Sequence, residues 1–176
     1  ITTRLVGSEM CIRDRYVEMA LNYLRVEDIS SDLSFKQYAV DDMVRQVIRK
    51  YAKIFISKKI KMNFKPTGRY IVTDDKWFVF VLEQFISNAL KYTKKGQISI
   101  YMKEKSLVIE DTGIGIPAED LPRIFEKGFT GYNGRENKKS TGIGLYLCKN
   151  IMDKLQWNIT VDSEVGSGTK IYLTKM

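Results

Sequence analysis

The spacing of apolar and polar positions predicts strands and helices that alternate along most of the chain. Apolar residues at steps of three and four predict helices, and strictly alternating apolar residues predict strands. The predicted helices cover residues 16–25, 41–55, 74–92 and 144–155, and the predicted strands cover 33–40, 59–64, 69–72, 97–102, 107–111, 157–162 and 169–173. Amphipathic helices on one face of a mixed sheet bury both apolar surfaces, so we predict an α+β fold, an α/β sandwich.

The same pattern divides the chain into three parts. Residues 1–15 show no periodicity, and we expect them to be a foreign or unassigned leader. Residues 16–32 contain a predicted helix and then a polar linker. Residues 33–176 form the main predicted domain, which is interrupted between Thr112 and Thr141 by a stretch rich in glycine and charge. A connection of that length inside a domain is typical of a functional lid or a disordered segment.

Composition and charge narrow the classes of protein. The formal net charge is +8, and a basic surface suits phosphorylated ligands, nucleic acid or membrane surfaces, although scattered lysines are more often ordinary solvated residues. The longest apolar runs are too short to cross a bilayer. Cys11 and Cys148 have neither metal-site nor disulfide spacing, which fits a reducing cytosol. The chain has no histidine, so any chemistry proceeds without that residue.

The predicted helix at 74–92 carries a candidate metal ligand, Asn88. Taken alone, an asparagine opposite an apolar helix face is more often a solvated polar residue. Its side-chain oxygen also suits Mg²⁺, which takes few protein ligands and keeps phosphates and waters for the rest. Lys91 lies three residues further along, shares roughly that face, and is placed to reach a phosphate.

A glycine-rich segment, Asp111-Thr112-Gly113-Ile114-Gly115-Ile116-Pro117, follows a predicted strand. A carboxylate at the end of a strand can accept a hydrogen bond from an exocyclic amine, and such a charged bond contributes about 1.5–3 kcal/mol. Glycines let the backbone approach a flat ring closely. A plain turn capped by the aspartate is the alternative, and the composition of the whole segment favours a ligand-binding role.

Two further segments are candidates for nucleotide contacts. Residues 123–129 place two aromatic residues four apart, which is usually ordinary packing but within a lid would anchor a mobile loop, with Arg123 or Lys127 reaching the nucleotide. Residues 140–147 lead two glycines into a predicted helix, whose first backbone N–H groups form an anion site for a triphosphate. A lone Gly-x-Gly is weak evidence, and the Gly-Lys-Ser/Thr of a Walker loop is absent.

In combination, the order and spacing of these four segments resemble the N, G1, F and G2 boxes of the histidine kinase branch of the gyrase, heat-shock chaperone, histidine kinase and MutL ATPase superfamily. The resemblance covers about residues 33–174, and residues 16–25 resemble the end of a histidine kinase dimerisation helix. Residues 126–147 are most similar to the intramembrane-sensing kinases of Gram-positive bacteria, which partner with ABC transporters. The resemblance implies a Bergerat ATP-binding fold, with a mixed, mostly antiparallel sheet and helices on one face.

The resemblance also implies ATP and Mg²⁺ as cofactors. The implied ATP-binding residues are Asn88, Lys91, Tyr92, Asp111, Gly113, Gly115, Ile116, Arg123, Lys127, Thr141, Gly142, Ile143, Gly144 and Leu145. Asn88 is the implied Mg²⁺ ligand, with Gln84 as a second candidate, and Asp111 is the implied partner of the adenine amine. Gly113 and Gly115 are expected to shape the base pocket, and Gly142 and Gly144 to hold phosphate.

Gln84 departs from the pattern of the family. Many members carry a second asparagine at this position, and ATP-hydrolysing relatives carry a glutamate that acts as a general base. Gln84 cannot take up a proton, which favours phosphoryl transfer over hydrolysis. The neighbouring Glu83 lies one helical step, about 100°, away. Because the chain has no histidine, the phosphoacceptor is expected outside it.

The expected function is therefore ATP-dependent phosphorylation of a histidine by a two-component sensor kinase. The expected partners are the dimerisation and phosphotransfer domain of the same kinase, a response regulator and an ABC transporter, and no nucleic acid. The full-length protein is expected to be a homodimer in the bacterial cell membrane, with this domain in the cytoplasm. Two alternatives stay open: a serine kinase of the anti-sigma type or an ATP-hydrolysing relative, and a basic binding module without catalysis, which the charge alone supports.

Overall fold

The computed structural model describes residues 33–131 and 141–176, so the predicted leader, the helix at 16–25 and part of the predicted lid lie outside the described residues. The strands are β1 (Lys36–Ala39), β2 (Lys61–Phe64), β3 (Tyr70–Thr73), β4 (Gln97–Lys103), β5 (Ser106–Asp111), β6 (Trp157–Glu164) and β7 (Gly168–Lys175). The helices are α1 (Val40–Lys58), α2 (Asp75–Tyr92) and α3 (Gly144–Lys154), with a short 3-10 helix at Leu121–Arg123. Every helix and strand predicted within the described residues is present, with ends shifted by a few residues.

Five strands of the described residues form one sheet, in the order β2–β4–β5–β7–β6. β2 runs parallel to β4, and the other neighbours are antiparallel, which confirms the predicted mixed, mostly antiparallel sheet. β2 and β3 follow each other in the chain but do not pair, because β3 pairs with β1 in a separate two-stranded ribbon. Alternating apolar residues predict that a segment is a strand, but they do not specify its partner.

The helices cover one face of the five-stranded sheet. Inward-facing residues of four neighbouring strands are buried: Ile98, Ile100, Leu107, Ile109, Ile159 and Leu173. The helices bury Val44, Val47, Phe78, Leu82, Phe85, Ile86, Leu147, Ile151 and Met152. Each such side chain contributes about 1.5–3 kcal/mol when it is buried rather than exposed. Because α2 contacts both α1 and α3, it is fixed along most of its length.

Both ends of α2 are defined by hydrogen bonds. The helix starts after Asp74, whose side chain accepts a hydrogen bond from the backbone N–H of Trp77 at 3.2 Å. It ends at Tyr92, and the next residue, Thr93, has an extended backbone and donates its N–H to the carbonyl of Ala89. The helix that carries the candidate metal ligand is therefore firmly placed. In the described part of the chain, no helix is long and apolar enough to cross a membrane.

Candidate functional site

One face of α2 carries four of the predicted site residues. Gln84, Asn88, Lys91 and Tyr92 are all half-buried, and their spacing of three and four residues places them along one side of the helix. The ammonium group of Lys91 lies 5.0 Å from the centre of the Tyr92 ring. The opposite side of α2 is packed into the core, so this row, which we call the α2 site face, is the side available to a ligand.

Glu83 lies next to Gln84 in the sequence but is held on another side of α2. Its carboxylate forms an ion pair with the ammonium group of Lys50 on α1, at 2.6 Å. Only 16% of the Glu83 side chain is exposed. The carboxylate therefore ties α2 to α1, and the α2 site face presents the neutral amide of Gln84 instead.

Asp111 is the last residue of β5 and is half-buried. Its carboxylate accepts a hydrogen bond from the backbone N–H of Gly113 at 2.8 Å. Burial raises the pKa of Asp111, and the nearby charge of Glu110 raises it further. Hydrogen bonds from the backbone of Gly113 and Thr169 lower the pKa, but it remains above the ordinary value for an aspartate. The Asp111 carboxylate is thus an acceptor with a fixed orientation, and few hydrogen-bond donors stabilise its negative charge.

The segment 111–117 is bonded to two other parts of the fold. The N–H of Ile114 donates to the carbonyl of Tyr92, at the end of α2, at 3.2 Å. The carbonyl of Ile114 accepts from the N–H of Gly166 at 2.9 Å, and the N–H of Ile116 donates to the hydroxyl of Ser163 at 2.9 Å. The segment therefore lies between α2 and the turn that joins β6 to β7.

Close contacts within the protein explain why glycine occupies positions 113 and 115. Gly115 has a φ of +72°, and a Cβ at this position would lie 2.0 Å from the carbonyl oxygen of Glu164. A Cβ at Gly113 would lie 2.7 Å from both Asp111 Oδ1 and the carbonyl oxygen of Tyr92. Both glycines are required because the backbone packs closely against protein atoms. Their expected role in shaping a base pocket stays a prediction.

The start of the lid segment (residues 118–141) is held by contacts of its own residues. Arg123 donates to the carboxylate of Glu126 at 3.1 Å, and its guanidinium group lies 4.6 Å from the centre of the Phe129 ring. Ile124 is buried and attaches the segment to the core. Lys127 is exposed. The two predicted basic residues thus lie at the start of the lid segment, and their expected contacts with the nucleotide stay a prediction.

The second glycine cluster, residues 141–145, begins where the lid segment ends. The carbonyl of Gly142 accepts from the N–H of Gly128 at 3.0 Å, and a Cβ at Gly142 would lie 2.4 Å from the carbonyl carbon of Gly128. We call this contact the lid neck. The hydroxyl of Thr141 accepts from the N–H of Ile143 at 3.3 Å. The lid neck therefore joins Gly128, within the lid segment, to the residues directly before α3.

The start of α3 lies against the α2 site face. Ile143 is the N-cap of the helix and provides no side-chain cap, so the first N–H groups, those of Gly144 and Leu145, have no acceptor within the helix. A Cβ at Gly144 would lie 2.9 Å from the amide oxygen of Gln84. Unsatisfied N–H groups at a helix start attract anions. The geometry therefore places a potential anion site beside Gln84.

Among the described residues, the donor set of the α2 site face suits Mg²⁺. In residues 33–131 and 141–176, no group of three or more histidine, cysteine, aspartate or glutamate side chains could hold a metal ion. The amide oxygen of Asn88 is a single hard ligand, and Mg²⁺ usually keeps waters and substrate phosphates as its other ligands. Asn88 thus fits a metal that arrives together with a phosphate.

The residues that support segment 111–117 were not predicted from the sequence. Ser163 accepts from Ile116, donates to the carbonyl of Gly168 and contacts the hydroxyl of Thr169, so it connects three segments. The one sequence signal is that Ser163 follows Ile159 and Val161 on the inward-facing side of β6, where an apolar residue is expected. A polar residue in that row indicates a buried hydrogen bond, but not its partner.

Known proteins are similar to this chain in sequence. The family described as histidine kinase-, DNA gyrase B-, and HSP90-like ATPase matches residues 73–175. The sensor histidine kinase YxdK of Bacillus subtilis is 34% identical in an alignment that covers 92% of this chain and 54% of YxdK. The chain spans about half the length of the curated relatives it matches.

Solved structures share the fold. Full-length ShkA, solved in complex with AMPPNP, has a TM-score of 0.74 at 20% identity, over 89% of this chain and 34% of that protein. The histidine kinase AdeS of Acinetobacter baumannii has a TM-score of 0.70 at 23% identity, over 93% of this chain and 78% of AdeS. These likenesses confirm the predicted fold. Since the family match covers more than half of its residues, the chain belongs to the histidine kinase-, DNA gyrase B- and HSP90-like ATPase family.

Proposed function

We propose that this chain is the ATP-binding catalytic domain of a two-component sensor histidine kinase, which transfers the γ-phosphoryl group of ATP to a histidine outside its 176 residues. The observation that carries the proposal is that both glycine clusters meet the same helix. Segment 111–117 is bonded to Tyr92, and Gly144 lies against Gln84, about two turns earlier in α2. Two turns span about 11 Å, so one extended ligand can meet the first cluster with its base and the second with its phosphates.

At the base end, Asp111 is the proposed acceptor for the exocyclic amine of adenine. Its carboxylate is already oriented by the N–H of Gly113. Guanine presents a carbonyl oxygen where adenine presents this amine, so a carboxylate at this position favours adenine. Ile116 and the two glycines, Gly113 and Gly115, form the proposed wall of the base pocket.

At the phosphate end, the proposed Mg²⁺ ligand is Asn88, with Gln84 as a second candidate. The proposed phosphate contacts come from the backbone at the start of α3 and from the residues around it: Lys91, Arg123, Lys127, Thr141, Gly142, Ile143, Gly144 and Leu145. Tyr92, whose carbonyl is bonded to segment 111–117, is proposed to flank the nucleotide. The dipole of α3 favours negative charge at its start. Mg²⁺ supplies charge neutralisation for phosphoryl transfer, and the protein groups bind and orient the substrate.

Two contacts support transfer rather than hydrolysis. Gln84, beside the start of α3, has no group that can accept a proton from water. Glu83, the neighbouring carboxylate, is paired with Lys50 on α1. A general base for water is therefore missing from the α2 site face, and the phosphoryl group is available for an incoming histidine.

The partners of the whole protein are proposed on the similarity to kinases that are about twice as long as this chain. They are the dimerisation and phosphotransfer domain that carries the histidine, a second copy of the kinase, a response regulator and an ABC transporter. The proposed location is the bacterial cell membrane, with this domain on the cytoplasmic side.

The test combines the 176-residue chain with ATP and Mg²⁺ and a separately produced dimerisation and phosphotransfer domain of the same kinase. We expect phosphohistidine on the added domain and none on the chain, which has no histidine. Asp111→Asn should weaken binding of a fluorescent ATP analogue at least tenfold, the loss of about 1.4 kcal/mol or more. Asp162→Asn, at an exposed position of β6, is the matched control and should bind normally.

Each alternative gives a different result in the same experiment. Phosphoserine on a partner indicates a serine kinase, and free phosphate without transfer indicates an ATP-hydrolysing relative. If the analogue does not bind, or binds equally well after Asp111→Asn, the chain is a basic binding module and the proposal is wrong.

A further inference from the structure

Thr93, the residue directly after α2, has an unpaired hydroxyl group. Its side chain is fully buried, and its Oγ1 atom has no hydrogen-bond partner among the described residues. Its backbone N–H, in contrast, is bonded to the carbonyl of Ala89. Buried polar side-chain atoms in native proteins almost always have a partner, so this hydroxyl requires an explanation.

The unpaired hydroxyl of Thr93 destabilises the fold, and packing alone does not require a hydroxyl at this position. Leaving a buried hydroxyl unsatisfied lowers the stability of a fold. Valine has nearly the same shape as threonine, and it readily adopts the extended backbone of this position, with φ −97° and ψ 115°. A valine here would fill the same space without that cost. An unpaired hydroxyl does not by itself indicate binding, because Thr73 also has one; the Thr93 hydroxyl is distinguished by its position.

The Thr93 hydroxyl and the Asp111 carboxylate lie near the same point in the structure. An ideal Cβ built on Gly113 lies 2.7 Å from Asp111 Oδ1, 2.7 Å from the carbonyl oxygen of Tyr92 and 3.0 Å from Thr93 Oγ1. Three oxygens thus face one point at the base end of the site. The other two are engaged, because Asp111 accepts from Gly113 and the carbonyl of Tyr92 accepts from Ile114. Of these three oxygens, the Thr93 hydroxyl is the one that carries a proton, and it has no acceptor among the described residues.

We propose that Thr93 is a positioning residue for adenine selectivity: when a nucleotide binds, its hydroxyl donates to the Asp111 carboxylate and fixes the oxygen that accepts from the adenine amine. A carboxylate has about four acceptor positions, and the backbone N–H groups of Gly113 and Thr169 fill only part of them. Asp111 Oδ1 and Thr93 Oγ1 both lie within 3.0 Å of the same ideal Cβ position on Gly113, and the side-chain torsion of an aspartate carboxyl group is broad, so rotation of that group can shorten the distance between them. Because Thr93 is fully buried, it acts through Asp111 and does not touch the base.

This inference rests on the proposed function, since Asp111 has a selectivity role only if adenine is the base. The test therefore measures two nucleotides, ATP and inosine triphosphate, each with Mg²⁺, by calorimetry on the 176-residue chain. Inosine triphosphate lacks the exocyclic amine. The unchanged chain should bind ATP at least tenfold more tightly than inosine triphosphate, which tests the proposed function separately.

Thr93→Val removes the hydroxyl and keeps the shape. We expect ATP affinity to fall about tenfold, affinity for inosine triphosphate to stay within twofold, and the midpoint of thermal unfolding to stay equal or rise. Thr93→Ser, which keeps the hydroxyl, should retain the preference for ATP. A residue that serves only the fold would not change the ratio of the two affinities while the stability is preserved.

Thr73→Val is the matched control. Thr73 is also fully buried with an unpaired hydroxyl, but it lies before α2, at the opposite end of the helix from Thr93. Its replacement should leave both affinities unchanged. The inference is overturned if Thr93→Val binds ATP as tightly as the unchanged chain, or if Thr93→Ser loses the preference for ATP as Thr93→Val does. If the unchanged chain shows no preference for ATP, the proposed function and the inference both fail.

Discussion

The two glycine clusters are attached to the domain in different ways. Segment 111–117 is hydrogen-bonded to α2 and to the β6–β7 turn, both of which belong to the packed fold. Residues 141–145 contact Gln84 and, through the lid neck, the beginning of the lid segment. The base end of the proposed site is therefore built by the fold, whereas the geometry of the phosphate end depends on the lid neck. The predictions below separate these two ends.

The largest effect is expected for Gly115→Ala. The new Cβ would lie 2.0 Å from the carbonyl oxygen of Glu164, and the φ of +72° is unfavourable for alanine. Neither backbone can move without breaking the hydrogen bonds of the segment, so the free energy of unfolding should fall by about 2–4 kcal/mol. Urea unfolding measures this change.

Gly166→Ala is the matched control for this substitution. Gly166 has a φ of +84°, but a Cβ there would meet no atom within 4 Å. Gly166→Ala should lower the free energy of unfolding by about 1 kcal/mol, because only the positive φ is unfavourable for alanine. Equal losses in the two variants would contradict the view that segment 111–117 is tightly packed against the β6–β7 turn.

Gly142→Ala should affect binding more than stability. Its Cβ would lie 2.4 Å from the carbonyl carbon of Gly128, so the lid neck must open. Because the lid neck joins the lid segment to the residues directly before α3 and not to the core, the free energy of unfolding should fall by only about 1 kcal/mol. ATP affinity should fall at least tenfold, since the start of α3 is displaced; calorimetry measures it.

Gly68→Ala is the control for the lid neck. Gly68 also has a positive φ, +60°, and a Cβ there would meet no atom within 4 Å. It should lose a similar amount of stability and bind ATP normally. If Gly142→Ala also binds ATP normally, the phosphate end does not depend on the lid neck.

A pH series tests the base end alone. Burial raises the pKa of Asp111, and Glu110 is the neighbouring charge that raises it further. The ionised carboxylate accepts from the amine, so ATP affinity should be full well above the raised pKa and fall as the pH drops through it, at a higher pH than for an ordinary aspartate. The ratio of the affinities of the unchanged chain and Asp111→Asn, taken at each pH, cancels the titration of ATP itself.

The stability effect of Asp111 has the opposite sign. A carboxyl group with a raised folded-state pKa contributes its full stabilisation below its unfolded pKa, and this contribution is lost as the pH rises through the folded pKa. Asp111→Asn should therefore be at least as stable as the unchanged chain at neutral pH, although it binds ATP less well. A loss of stability together with a loss of binding would mean that Asp111 serves the fold.

The smallest effect is expected for Glu83→Gln. The ion pair with Lys50 is partly exposed, because 54% of the Lys50 side chain is accessible, so its loss should cost about 1 kcal/mol or less. The rate of phosphoryl transfer should not change, since Glu83 is directed at α1. A loss of transfer or of ATP consumption much larger than the change in stability would identify Glu83 as a general base.

The sequence predicted what depends on local periodicity. The helix that carries Asn88 and the strand that ends at Asp111 follow from the spacing of apolar residues, and the proposed site residues lie where those elements end or face solvent. The contact between Ile116 and Ser163 joins residues 47 positions apart, and no local pattern encodes it. The pairing of β3 with β1 was missed for the same reason. Periodicity indicates which face an element buries, but not which loop it meets.

Amide hydrogen exchange, followed residue by residue with and without AMPPNP and Mg²⁺, tests the central claim most directly. The N–H groups of Ile114 and Ile116 are hydrogen-bonded within the fold and should be protected in both states. The N–H groups of Gly144 and Leu145, at the uncapped start of α3, should become protected only when the nucleotide is bound. Protection of Ile114 and Ile116 only in the presence of nucleotide, or no change at Gly144 and Leu145 at saturation, would contradict the account.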